Sequence, residues 1–158
     1  MYTGNGEPIT FRIVDWIDNV NEGNICHLHV TIYTEDAHYG LTPGFWKQEQ
    51  HFDSWPSTYT PGQTIGAVFD NSPWPSLTLL DALQFKGGNT LQEAKQILAR
   101  AAVAALLNSE TFPDFYPYTA QQVITLTEAQ FATGTRTTIL TLARSFDNAN
   151  NMGPPAGW

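Results

Sequence analysis

"TLQEAKQILARAAVAALLNS", residues 90–109, decides how this chain folds. Its polar residues, Gln92, Glu93, Lys95, Gln96 and Arg100, cluster toward the start of the stretch. From Ala101 to Leu107 every side is apolar, so a helix here has no face to offer water and must run through the middle of the domain. Thr90 followed three residues later by Glu93 is a capping box, which sets where that helix begins. Its many alanines let neighbouring helices approach closely.

The segments around it carry helical signals of their own. "SLTLLDALQF" (76–85) has Ser76 as its expected N-cap and stops at Gly87-Gly88. "TAQQVITLTEAQFAT" (119–133) repeats the capping logic with Thr119 and Gln122. "RTTILTLARSFDNANN" (136–151) places Ile139, Leu142, Ala143 and Phe146 along one stripe. The end, "NNMGPPAGW", reads as a helix stop and a stiff tail.

Upstream, residues 39–75 are punctuated by Pro43, Pro56, Pro61, Pro73 and Pro75, which forbids long helices and central strands. The first third alternates. Ile9, Phe11 and Ile13 share one face of "ITFRIVDW", and Cys26, Leu28, Val30 and Ile32 share one face of "NICHLHVTIYT". With "DNVNEGN" as a turn, a hairpin over about residues 9–34 is expected. The class that follows is α+β: an N-terminal β-hairpin or extended arm, a Pro- and aromatic-rich loop layer, and a C-terminal bundle of about four helices. All 158 residues are expected in a single domain, with 1–40 as a β arm and candidate assembly element, 41–153 as aromatic loop plus helical core, and 154–158 as tail.

Composition narrows the function. An apolar share of 42% suits a folded domain of this length. The net charge is −8 with seven Lys and Arg, so no basic run exists to neutralise phosphates, and nucleic acid is not an expected partner. Membrane insertion is not expected either, because the longest apolar run, Ala101–Leu107, is far too short to span a bilayer. The start, "MYTGNGEPITF", lacks the pattern of a signal peptide, so the chain is expected either to stay inside the cell or to be a mature or reassigned product. Cys26 is the single cysteine and reads as a small buried hydrophobe.

Few residues invite chemistry. His27 and His29 point the same way on a strand, and His38 or His51 would complete a metal site, yet no zinc-type motif supports one. Oxygen ligands gather in "DWIDNVNEGN" at offsets that do not fit an EF-hand loop, and Asn-x-Ser/Thr occurs nowhere. Glu49, His51 and Asp53 are near in sequence with nothing to fix them across a cleft, and Asp81 reads as a cap or a partner for Lys47. No nucleophile elbow, phosphate loop or dinucleotide fingerprint is present. No enzymatic activity, catalytic residue, metal or cofactor is therefore expected. The loop aromatics Trp46, Trp55, Tyr59 and Trp74 are candidate glycan contacts, since sugar rings stack on exposed indole and phenol faces. The competing reading turns these rings inward to staple the loop to the helices, because several exposed together promote aggregation.

Four blocks in order, "LTPGFWKQEQHFDSWP", "LLDALQFKGG", "ILARAAVAALLNS" and "LARSFDNANNMG", resemble one domain family of bacterial and archaeal surface-exposed and secreted proteins. That family carries a Cys-Thr-Pro-Gly-(Tyr/Phe)-Trp-Lys signature, and the resemblance covers residues 41–153. It implies an extracellular or cell-surface setting and no assigned enzymatic activity. Here Leu41 stands at the first cysteine position and Pro154 or Pro155 near the second. Their joint loss implies that relatives join these places by a disulfide, worth ~4–5 kcal/mol for a loop of this length, and that residues 41 and about 154 are neighbours. Gln48 and Glu49 replace the family's Asn-His.

The function expected from these readings is a non-enzymatic structural subunit of an extracellular filament, pilus-like fibre or surface layer. Its partners would be copies of itself, through Ile9, Phe11, Ile13, Val14, Trp16, Leu28, Val30 and Ile32. The alternatives are a carbohydrate-binding or adhesive module, with glycans as partners, and a virion structural protein. Phe45 and Trp46 are expected buried, and Glu49 and Gln50 in solvent.

Overall fold

Five α-helices and two short 3-10 helices carry the fold in the computed structural model, which describes residues 37–157. In chain order the helices are α1 (Pro43–Trp46), α2 (Leu79–Leu83), α3 (Leu91–Thr111), α4 (Ala120–Thr133) and α5 (Arg136–Asn150), with 3-10 helices at Glu49–Ser54 and Ile65–Ala67. The α+β expectation is corrected. Helix makes up 56% of the described residues, and there is no sheet among them. The only β pairings there are two isolated bridges, Gly40 with Gly153 and Thr64 with Thr78. Both join loop segments, and a single-residue bridge has no ladder to extend. The alternating pattern that suggested a hairpin falls on residues 9–34, outside the described residues.

α3 is the axis. Every residue from Ala101 to Ser109 is buried, as the apolar run demands. α3 packs most extensively on α5, then on α4 and α2. The stripe on α5 is the expected one, with Ile139, Ala143 and Phe146 buried and Leu142 half-buried. Hydrogen bonds set the helix directions. Asn108 meets Asn150 near the ends of α3 and α5, while Arg136 lies 3.5 Å from the Gly88 carbonyl near their starts, so these two helices run the same way. Lys95, early in α3, donates to the Phe131 carbonyl late in α4 at 2.6 Å, so α4 runs antiparallel to both.

Each longer helix begins with a capping box on threonine. Thr90 pairs with Glu93, Thr119 with Gln122 and Thr135 with Thr138. α2 starts at Thr78 with Asp81 rather than at Ser76. Thr78 is favoured because Asp81 stands three residues on and returns a hydrogen bond to its amide. The same bonds hold the Asp81 carboxyl below its ordinary range, and those from Thr90 do so for Glu93. Gly134 alone separates α4 from the cap of α5, and a side chain there would strike the Gln130 carbonyl and Ile139.

The proline-rich stretch is ordered by backbone bonds. Ile65 donates to Leu77 O at 2.7 Å, Gly66 to Pro75 O at 3.1 Å and Leu79 to Gln63 O at 2.8 Å. Gly66 lies so close to Pro75 that no Cβ fits. At the other side of the unit, Gly40 donates to Gly153 O at 2.9 Å and brings both chain ends of the unit together. Residues 41 and 154 thus line one cavity, the neighbourhood implied by the missing cysteines.

Gly40→Ala should destabilise the protein by ~1–3 kcal/mol, the usual cost of overpacking. A Cβ at this position runs into the Ala149 carbonyl, a backbone group that cannot swing aside as a side chain would. Urea unfolding checks this, with Gly62→Ala as the control because a Cβ there meets no neighbour.

Candidate functional site

The first turn after the chain enters the unit is "TPGFW". Thr42 caps α1, accepting from the Phe45 amide at 3.2 Å, and Pro43 occupies the first turn, where its missing N–H costs nothing. That single turn swings Trp46 into the interior, where it is fully buried. Its indole N–H donates to Asn108 Oδ1 at 3.2 Å, and its own carbonyl accepts from the Trp55 indole at 3.0 Å.

Asn108 is the centre of the site. It lies near the end of α3 with no exposed surface. Its Oδ1 also accepts from the Leu41 amide at 2.9 Å, while its Nδ2 donates to Leu41 O and to Asn150 Oδ1, both at 2.8 Å. The two acceptor sites and both donors of the amide are therefore all in use. Only one orientation satisfies Leu41, because its peptide offers one N–H and one C=O side by side. Asn150, equally buried, accepts also from the Tyr116 hydroxyl at 2.8 Å and donates to Ala101 O at 3.0 Å. Burial pushes the Tyr116 phenol well above its ordinary value of 10.0, with Tyr118 adding to the effect. Tyr59 is also raised, by burial first and by Glu110 second.

Beside this network lies a shallow cavity of 330 Å³ whose walls include Gly40, Leu41, Thr42, Phe45, Asn150 and Pro154. Among its polar members, the Thr42 hydroxyl caps α1, the Asn150 amide bonds Asn108, Tyr116 and Ala101, and the exposed Asn151 donates to Asp147 O. The wall offers no carboxylate, imidazole or amine to a substrate.

The other candidates are dispersed. His38 donates through Nδ1 to Phe115 O at 3.1 Å, and His51 stacks on Phe45 with ring centres 3.8 Å apart. Glu49, Gln50 and Asp53 are exposed. Asp81 serves the α2 cap, not a pair with Lys47. Among the described residues no three His, Cys, Asp or Glu side chains come together as a metal site. His27 and His29 and the residues of the "DWIDNVNEGN" loop lie outside the described residues, as do the self-association candidates Ile9, Phe11, Ile13, Val14, Trp16, Leu28, Val30 and Ile32.

Of the four glycan candidates, Trp46 is fully buried and Trp55 and Tyr59 are each 8% exposed. Trp74 is half-buried, tilted against Phe85 and edge-on to Phe131. These rings face the helices and present no common stacking surface. No motif or spacing in the sequence marks Asn108, Asn150 or Tyr116 as site residues. The available signal was Asn108, a polar residue placed directly after an all-apolar helical run.

Comparison of the chain with protein-family models, curated protein sequences and solved structures finds no match.

Asn108→Ala strands the Leu41 N–H and C=O and the Trp46 indole, each at ~1–3 kcal/mol. The total should exceed ~4 kcal/mol, the class of substitution that threatens a whole domain. Ser109→Ala, one residue on and also buried, loses only a bond to Leu106 O and should cost about 1 kcal/mol. Denaturant unfolding of both variants checks the contrast.

A raised phenol contributes stability that is present in full below pH 10.0 and is lost as pH rises, because the unfolded chain releases a proton that the folded one keeps. Stability should therefore fall steeply above pH 10.0. Tyr116→Phe should be weaker by about 1 kcal/mol at neutral pH through the lost hydrogen bond, yet show a shallower alkaline decline. Urea titrations across that range measure both.

Proposed function

We propose that this chain is a non-enzymatic structural subunit that assembles with copies of itself into a filament, fibre or layer at a cell surface. The observation that carries this reading is the saturated amide centre. The buried polar side chains nearest the cavity are all spent on holding α1, α3 and α5 together. Reactive centres keep a base, nucleophile or donor aimed at open space, with a partner left for the substrate. Here the buried amides of Asn108 and Asn150 are bonded within the fold, which suits a rigid building block.

Two sequence features add to this. The ordered blocks over residues 41–153 resemble surface-protein domains, which supplies the setting. Residues 9–32 alternate apolar and polar over two runs, a pattern suited to pairing with another chain. Contact between copies is assigned to this N-terminal stretch.

Sedimentation velocity and negative-stain microscopy of the full chain test the reading. Concentration-dependent polymers are expected. Ile13→Asp combined with Val30→Asp should sharply reduce them while leaving the helical circular dichroism unchanged. A wild-type protein that stays monomeric at high concentration, or a double variant that polymerises like wild type, would reject it.

A further inference from the structure

The loop that follows α1 and its 3-10 turn buries its rings and exposes its hydroxyl residues. In "WPSTYTPGQT", residues 55–64, Trp55 and Tyr59 are buried in the core, while Ser57, Thr58 and Thr60 are exposed. Two turns hold this arrangement: the Tyr59 amide donates to Pro56 O and the Gln63 amide to Thr60 O, both at 3.0 Å. Pro56 and Pro61 flank the hydroxyl residues and restrict the backbone on either side.

This loop offers what an enzyme acting on a hydroxyl has to grip. Thr58 Oγ1 donates to Glu110 at 3.3 Å, but the hydroxyls of Ser57 and Thr60 bond no other group among the described residues. The Ser57, Thr58 and Thr60 amides donate to none of those residues either, and Pro61 has no N–H. The backbone here is therefore left to solvent or to a visiting enzyme. Thr141 is exposed as well, yet it sits inside α5 and its hydroxyl already donates to Thr137 O at 3.0 Å.

Charge decides which group these hydroxyls suit. No Lys or Arg stands between Lys47 and Lys86, and residues 54–69 hold no charged side chain. The charged side chain that the loop meets is Glu110. A phosphate would face this carboxylate with no cation in the loop to receive it, which disfavours phosphorylation. A neutral sugar meets no such repulsion, and Ser and Thr interspersed with Pro is the composition of O-glycosylated segments. Asn-x-Ser/Thr occurs nowhere in the chain, so the standard amide-linked attachment is closed to it.

We infer that Ser57 and Thr60 are acceptor sites for O-linked glycosylation. The inference rests on the cell-surface setting in the reading above and adds a modification to it. The step is a glycosyl transfer from an activated sugar-phosphate donor. The hydroxyl oxygen forms a bond to the anomeric carbon, and the bond from that carbon to the donor's phosphate oxygen breaks. The phosphate keeps the electron pair, and the hydroxyl proton passes to a base of the transferase. Because Trp55 and Tyr59 are already turned inward, a sugar on either hydroxyl covers the loop without disturbing the core.

Intact mass spectrometry of the full chain, isolated from the cells that make it, tests this. Increments of monosaccharide size above the sequence mass are expected, and fragmentation that preserves glycosidic bonds should place them on Ser57 or Thr60. Ser57→Ala with Thr60→Ala, produced in the same cells, should lose those increments, whereas Thr141→Ala should keep them. Circular dichroism should show both variants folded.

Native protein at its bare sequence mass overturns the inference. So do increments that map away from Ser57 and Thr60 or survive the double substitution, and so does a phosphate-sized increment that a phosphatase removes. Sedimentation velocity on the same preparations separates the two readings. Unmodified protein that polymerises overturns only the glycan sites, and glycosylated protein that stays monomeric rejects only the structural subunit.

Discussion

One side-chain amide holds together parts of the chain far apart in sequence. Asn108 treats the Leu41 peptide as a strand neighbour would, accepting from its N–H and donating to its C=O, while also binding the Trp46 indole and Asn150. Four bonds to one buried group leave nothing unsatisfied, which is the condition under which a polar centre stabilises rather than weakens a core. The single turn of α1 is far too short to be stable alone. It persists because its tryptophan is clamped by an amide that α3 holds rigid.

That constraint explains why an aromatic, proline-rich loop stays ordered without regular secondary structure. Trp46 fastens its start, Trp55 hangs from the Trp46 carbonyl, and Tyr59, Ile65 and Phe69 continue the burial toward α2. The rings suggestive of a sugar platform are thus the filling between loop and helices. The two ends of the unit meet at the Gly40–Gly153 bridge, beside the Leu41 peptide that Asn108 holds.

The helices were legible because their signals are local. Thr90 with Glu93 and Thr119 with Gln122 cap where their spacing says, and the apolar run after Arg100 is buried throughout. Ser76 and Thr78 compete for the cap within three positions, and the carboxylate partner, Asp81, selects Thr78. The α+β class is corrected because the described residues are 56% helix and hold two lone bridges and no sheet, while the alternating stretch, residues 9–34, lies outside them.

The sequence by itself determined the central helix and its caps, whose signals lie within a turn or two of one another, and the acidic character of the chain, which is a sum over its residues. Only the tertiary structure decided that Asn108, Asn150 and Tyr116 form one network, that Trp46 is buried against Asn108, and that residues 40 and 153 touch. These are contacts across 34 residues or more, set by which way α3, α4 and α5 run, and no local spacing encodes a direction of packing.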